Sequence, residues 1–323
     1  MTLLLEVDHL TTRYVSARGT RVVEAVSDVS FRLEAGETLG VVGESGSGKT
    51  TLALSLMRLL PTAAHIEAGA IRFQGEDLLA KSETEMRRLR GKRIAMILQD
   101  PMASLNPLFT VGDQVAETLR AHEGIPRKTA WTRARQLFTA VKIPAPEARV
   151  REYPHQLSGG MRQRIVGAIA ISCEPKLLIA DEPTTSLDVT IQAQYLNLLR
   201  ELQREHGLAL IFITHNLGIV ARMCDKVAVM YAGRLVEIGP VRRIFDAPAH
   251  PYTQALLESI PRLADSRARL TAIDGQPPDL AALPDGCAFH PRCTKVEDLC
   301  RREAPADLAV AEHHRARCWL AAR

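Results

Sequence analysis

The chain has 323 residues, 46% hydrophobic and 24% charged, with a formal net charge of +4. That length supports two or three subdomains with a well-buried core, and a charge so small gives no argument for nucleic-acid binding. No apolar run approaches the roughly 20 residues that cross a bilayer, and the opening Met-Thr-Leu-Leu-Leu-Glu-Val-Asp lacks the basic start of a secretory signal. The chain is therefore expected to stay in the cytoplasm, with any membrane role supplied through a partner. The basic run Arg87, Arg88, Arg90, Lys92 and Arg93 reads as a solvated face. Six cysteines in a reducing compartment read as thiols rather than disulfides.

In chain order, residues 1–35 form a strand-rich opening: Leu3, Leu5 and Val7, then Val22 and Val23, then Val26, Val29, Phe31 and Leu33 in alternation. Tyr14 precedes a polar turn at 16–20, where its ring either stacks on a base or packs on the sheet. A short apolar strand, Thr38-Leu39-Gly40-Val41-Val42, then runs into Gly43-Glu44-Ser45-Gly46-Ser47-Gly48-Lys49-Thr50, and Thr50-Thr51-Leu52 opens a helix. Strand, G-x-x-x-x-G-K-T and helix together specify a phosphate-binding loop. Backbone N–H groups of residues 44–50 surround the phosphates, Lys49 neutralises the β and γ oxygens, and the Thr50 hydroxyl holds Mg²⁺.

Three further strands have the same plan. Residues 94–98 end in Gln99, Leu177-Leu178-Ile179-Ala180 ends in Asp181-Glu182, and 208–213 ends in Thr214-His215. Continuous apolar runs suit strands buried on both faces of a largely parallel sheet, whose ligands sit beyond the strand carboxyl ends. Gln99, Asp181, Glu182, His215 and the loop are thus expected to converge on one nucleotide. Asp181 completes the Mg²⁺ shell, Glu182 polarises the attacking water, Gln99 contacts metal and water, and His215 reaches the γ-phosphate.

A second anion site, Ser158-Gly159-Gly160, has no apolar strand before it. A capping serine and two glycines expose backbone N–H groups at a helix start. This helix lies in a stretch, roughly 100–172, patterned as helices at 111–121, 128–141 and 161–171. A separate helical lobe of that kind carries its anion site away from the sheet edge. It is therefore expected to serve a nucleotide held by another subunit.

Over about residues 1–245 the sequence resembles the ATP-binding-cassette ATPases. Gly43 to Thr50 is similar to Walker A, Gln99 to the Q-loop glutamine, and Leu157-Ser158-Gly159-Gly160-Met161-Arg162-Gln163 to the signature motif. Leu177 to Glu182 resembles Walker B, Ser186-Leu187-Asp188 the D-loop, His215 the switch histidine, and Tyr14 falls at the A-loop aromatic. The resemblance implies an α/β P-loop fold with a mixed, mainly parallel sheet. It adds an N-terminal antiparallel β subdomain, an inserted helical subdomain and a small Cys-rich C-terminal extension. It also implies ATP and Mg²⁺ bound by Tyr14, the Gly43–Thr50 loop with Thr51, Gln99 and Asp181. The partner's nucleotide is met by Ser158, Gly159, Gly160, Gln163 and Asp188. Two cassettes would close head to tail around two ATP molecules, the second expected to be a different chain.

A narrower resemblance points to the oligopeptide/dipeptide importer branch, through Gln99-Asp100-Pro101-Met102-Ala103-Ser104-Leu105-Asn106-Pro107, His250-Pro251-Tyr252-Thr253 and Pro284-x-Gly286-Cys287-x-Phe289-x-x-Arg292-Cys293. The branch has Ala where Ser186 stands. Two transmembrane permease subunits and, indirectly, an extracytoplasmic substrate-binding protein are the implied partners, at the cytoplasmic face of the cell membrane. A nickel or other small-solute importer is the nearest alternative. A soluble phosphotransferase would not need the signature motif, and non-transport cassettes mostly carry two cassettes or a coiled-coil insertion.

The extension, 246–323, contains an amphipathic stretch at 252–263 and then Cys287, Cys293, Cys300 and Cys318. Zinc sites prefer tighter cysteine pairs. Longer loops suit a cubane cluster, with unligated thiols as the alternative. The resemblance implies a [4Fe-4S] cluster on these four residues, read as a cross-link for a thinly cored tail. Cys173 and Cys224 read as small buried apolar residues.

Overall fold

The computed structural model describes residues 2–16, 19–100, 104–185, 187–260 and 272–322. They form two compact units: Ala80–Ile211 with Glu34–Glu37, and Leu3–Leu33, Thr38–Leu79 and Phe212–Arg323.

In the second unit, β1 (Leu3–Val15), β2 (Val22–Glu34), β4 (Ala64–Phe73) and β5 (Glu76–Asp77) form a four-stranded sheet, ordered β2-β1-β4-β5. β1 and β4 are antiparallel, from Leu5 opposite Phe73 to Tyr14 opposite Ala64. Leu5 and Val7, then Val29, Phe31 and Leu33, are buried in the predicted alternation, whereas Leu3 and Val22 are 43 and 45% exposed and the buried Leu10 and Val26 fall out of phase. Beside this sheet in the same unit, β3 (Thr38–Val42) is buried at all its residues. It runs parallel to β9 (Lys226–Tyr231), with Leu39 opposite Lys226 and Val42 opposite Val229. β10 (Arg234–Pro240) returns antiparallel to β9. The chain's last strands, β12 (His314–Ala316) and β11 (Leu308–Ala311), continue outward from β10.

The C-terminal residues have a substantial core. Tyr231 of β9, Tyr252 and Phe289 are all nearly inaccessible and pack as an aromatic trio, with ring centroids 4.6, 5.2 and 5.3 Å apart. Ile273, Leu280 and Leu283 pack against the same cluster. The expectation of a thinly cored tail is thereby corrected. The tail borrows the apolar face of β9 and β10 rather than building a core alone. It is also keyed by a buried pair: Glu237 accepts from His314 Nε2 at 2.7 Å and from the N–H groups of Ala249 and His250 at 2.7 and 3.0 Å.

In the first unit, β6 (Ile94–Ile97) and β7 (Leu177–Asp181) pair in parallel, from Ile94 opposite Leu177 to Ile97 opposite Ala180. Between them the chain forms helices Val111–Glu123, Arg127–Ala140 and Gly159–Ile171. Val111, Val115, Leu119, Ala130, Ala134, Phe138 and Ile165 are among their buried positions, and the first helix packs on both others. Thr110 and Ser158 cap two of the starts by accepting from Asp113 and Met161 N–H, satisfying donors that have no partner inside the helix. Asp188 caps helix Val189–His206 in the same way, and Gly207 ends it at φ 58°. β8 (Ala209–Ile213) lies where the units divide: Ala209 N–H donates to Lys176 in the first, and Thr214 N–H to Val41 in the second.

Candidate nucleotide site

β3 delivers Gly43 at its carboxyl end, and helix Lys49–Met57 begins six residues later. The turn between them is possible only for glycine. Gly43 has φ 153° and Gly48 φ 102°. A Cβ on Gly43 would lie 2.1 Å from the Met230 carbonyl oxygen, and one on Gly48 2.1 Å from that of Ala25. Bare backbone therefore lines the loop. Lys49 Nζ donates to the Gly43 and Glu44 carbonyls, both at 2.8 Å, and lies 3.4 Å from Ser47 Oγ. The ammonium is thus drawn back over the loop, while Thr50, Ser45 and Gly46 are exposed. Thr51 faces Tyr14, whose hydroxyl is 3.4 Å from Thr51 Oγ1. His215 is exposed one residue beyond the Thr214–Val41 hydrogen bond, so it leaves β8 at the β3 edge that feeds the loop.

The first unit brings a second set together. Because β6 and β7 are parallel and in register, Gln99 and Asp181-Glu182 leave from the same edge. Gln99 Nε2 lies 3.4 Å from Glu182 Oε2, which also accepts from Thr185 Oγ1 at 2.9 Å. Asp181 is only 2% exposed. Glu182 sits at φ 44°, a left-handed turn that aims its carboxylate differently from its neighbour's. Ser158 and Gly159 are exposed at the start of helix Gly159–Ile171, and no atom lies within 4 Å of a Cβ built on Gly159. With Gly160, Asp188, Arg164 and Lys142 they line an open groove of about 690 Å³. Gln163, by contrast, is fully buried one turn into the helix. It is packed away from the groove, where a nucleotide contact was expected. Pro101, Met102, Ala103 and Ser186 lie outside the described residues, as does the end of the 252–263 stretch, whose helix is Pro251–Glu258.

The family described as ABC transporter matches residues 26–185, and the one described as oligopeptide/dipeptide transporter, C-terminal region, matches residues 236–300. The dipeptide transport ATP-binding protein DppD of Bacillus subtilis is 50% identical, over 98% of this chain and 94% of its own. The chain belongs to the oligopeptide/dipeptide branch of the ATP-binding-cassette ATPases. The oligopeptide transport ATP-binding protein OppD of Haemophilus influenzae is 48% identical to this cassette over 99% of it and 98% of the relative. Among solved structures, CbiO1 from Clostridium perfringens, part of an ABC transporter complex, is 28% identical with a TM-score of 0.65 over 76% of the cassette and 92% of that chain. The dimeric, ADP- and Pi-bound structure of the cassette MJ0796 has a TM-score of 0.66 at 23% identity, over 74% and 99%. The P-loop fold with a mixed sheet and an N-terminal antiparallel sheet is therefore the fold of this cassette.

Sequence reasoning took Glu44 only as loop backbone. In the structure the cassette's C-terminal residues grip it. Its N–H donates to the Tyr252 hydroxyl at 3.0 Å, and its carboxylate accepts two hydrogen bonds from Arg292, at 2.7 and 2.9 Å. Next to Arg292, Cys287, Cys293, Cys300 and Cys318 line one small cavity with His250. Burial pushes the Cys287 thiol up to about 11 and raises Cys293 and Cys318 as well, so these thiols are protonated near neutrality. Burial also pushes His250 down to about 3. Its Nδ1 accepts from Tyr252 N–H, which leaves the proton on Nε2, a buried donor with no partner among the described residues. Cys173 is buried and Cys224 half-buried, against Gly40.

Proposed function

We propose that this cassette hydrolyses ATP to drive import of dipeptides or oligopeptides, as half of a head-to-tail pair on two permease subunits at the cytoplasmic face of the membrane. The observation that carries the solute class is the likeness to dipeptide and oligopeptide transport ATP-binding proteins along the whole chain, extension included. An extracytoplasmic binding protein would deliver the peptide. No helix among the described residues is long and apolar enough to cross a membrane. In the first unit, Leu98, Leu108, Phe109 and Tyr153 are 44, 78, 53 and 39% exposed, an apolar cost that a docked permease helix would remove. Cells lacking this protein are expected to recover uptake of radiolabelled di- and tripeptides with the wild-type chain and not with Lys49→Ala. Recovery of nickel uptake in place of peptide uptake would move the assignment to a metal importer.

The residues suit Mg·ATP. Lys49 would exchange two carbonyl partners for phosphate oxygens, and the family resemblance assigns the Thr50 hydroxyl and Asp181 as the residues that would hold Mg²⁺. Mg²⁺ neutralises charge that develops on the phosphates. Glu182 takes the proton of the attacking water, with Gln99 beside it, and His215 donates to the γ-phosphate. Tyr14, held near Thr51, is the adenine platform. Ser158 and Gly159 offer N–H groups to the partner's ATP, with Asp188 at the rim of the same groove. Charge-assisted hydrogen bonds of roughly 1.5–3 kcal/mol each then exist only in the closed pair, which is how ATP shifts the equilibrium toward closure.

For the extension we infer a [4Fe-4S] cluster on Cys287, Cys293, Cys300 and Cys318. All four thiols line one cavity and the orphaned His250 Nε2–H is a donor suited to sulfide, although among the described residues no three His, Cys, Asp or Glu side chains are grouped to hold a metal ion. The cluster would tie loops separated in sequence, releasing the thiol protons as it binds. Anaerobically purified protein is expected to contain iron and acid-labile sulfide in equal amounts, lost in Cys293→Ser. Stoichiometric zinc, or neither element, would refute the cluster.

A further inference from the structure

Arg292 stands in the Pro284–Cys293 motif, and its contacts give it a task distinct from that of the cysteines. The Arg292 side chain is 4% exposed, and its guanidinium is held in place from several sides. Nε donates to the Asp274 carbonyl at 3.0 Å, and Nη2 reaches that of Ile273 at 3.4 Å. Nη1 lies 3.4 Å from the Tyr231 hydroxyl, with the guanidinium carbon 5.8 Å from the centre of that ring. The two remaining directions form the fork on Glu44. Glu44 is meanwhile fixed through its backbone as well, N–H to Tyr252 and carbonyl to Lys49.

This arrangement answers an electrostatic problem. Glu44 puts a carboxylate inside a loop whose ligand is a polyanion, so an uncompensated charge there would repel the triphosphate. A buried, pre-organised guanidinium cancels that charge in a bidentate geometry which lysine cannot reproduce. We propose that Arg292 is a positioning and charge-compensating residue for the phosphate loop, so that ATP affinity in this cassette depends on its C-terminal extension. The proposal rests on Gly43–Thr50 being the ATP loop and deepens that assignment. It does not require the cysteines to hold a cluster.

Fluorescent ATP binding to the full-length chain tests it. Arg292→Ala is expected to weaken binding about tenfold, which corresponds to ~1.4 kcal/mol, and Arg292→Lys about threefold, since the charge survives without the fork. Removing the carboxylate as well recovers affinity: Glu44→Ala with Arg292→Ala binds within about threefold of wild type, tighter than Arg292→Ala alone. The Arg292→Ala loss also shrinks between about 0.05 and 1 M salt as the stranded charge is screened. A purely structural role moves neither readout. Wild-type affinity in Arg292→Ala, or a double variant weaker than Arg292→Ala, overturns the proposal. Lys49→Ala measured alongside separates the failures. Affinity that survives it removes the loop as the ATP site, whereas affinity lost there but untouched in Arg292→Ala removes the clasp alone.

Discussion

Glu182→Gln is expected to lower ATP turnover by about a hundredfold or more, the range lost with a general base, while nucleotide binding stays near wild type. Asp181 and Glu182 are adjacent, yet the turn at Glu182 separates their tasks. Asp181 ends β7 in a buried position suited to the metal shell, and Glu182 is turned to where Gln99 and Thr185 meet its Oε2. Glutamine matches glutamate in shape and still accepts hydrogen bonds, so the local packing survives. What it lacks is the capacity to accept a proton from water. ATP would then bind, close the pair and remain, because in the proposed cycle closure depends on bound ATP and parting on its hydrolysis. Phosphate release and light scattering with ATP read both halves: turnover falls and the paired species accumulates. Undiminished phosphate release in this variant would remove Glu182 as the base.

The parts of this architecture that are local in sequence are the parts the sequence displays. β3, β7 and β8 are continuous apolar runs because both faces are covered, and that leaves no polar residue to blur them. Helix starts carry their own caps, as at Ser82 with Glu85, Thr110, Ser158 and Asp188. The phosphate loop is legible for the same reason, since eight consecutive residues carry its backbone donors, its lysine and its threonine.

What escapes is pairing at long separation. Glu44 and Arg292 are 248 residues apart, and Glu237 and His314 are 77 apart. Neither pair leaves a periodicity or a spacing that a local pattern detects. β11 and β12 span four and three residues, too short for an alternation to register. The extension looked thin because many of its apolar residues are alanines. Its core is completed by Tyr231 and Val236, which lie within residues 1–245, the stretch that carries the cassette resemblance. Gln163 shows the converse limit: the signature-motif resemblance put it at the partner's nucleotide, yet the structure buries it one turn into the helix.

Ser158→Arg should also lower turnover with ATP binding retained, but through the partner's nucleotide rather than its own. The serine stands exposed at the mouth of the 690 Å³ groove, beside a glycine with open space above it. A long guanidinium side chain there occupies the position a partner's γ-phosphate would take and denies it the backbone N–H groups. Loss of such oxyanion donors costs about a hundredfold or more in rate. The cap itself, Ser158 Oγ accepting from Met161 N–H at 3.3 Å, is worth about 1 kcal/mol, so Ser158→Ala serves as the control for stability alone. In the isolated chain, where no partner presents a nucleotide, Ser158→Arg is expected to bind ATP within about twofold of wild type. In the assembled transporter, hydrolysis at the site completed by this serine should fall about a hundredfold, with Ser158→Ala far less affected. The contrast between isolated and assembled protein carries the conclusion, because a residue acting on its own chain's nucleotide would weaken binding in both. An equal loss of ATP affinity in the isolated subunit would mean that the groove serves its own chain, and the two-cassette site would have to be abandoned.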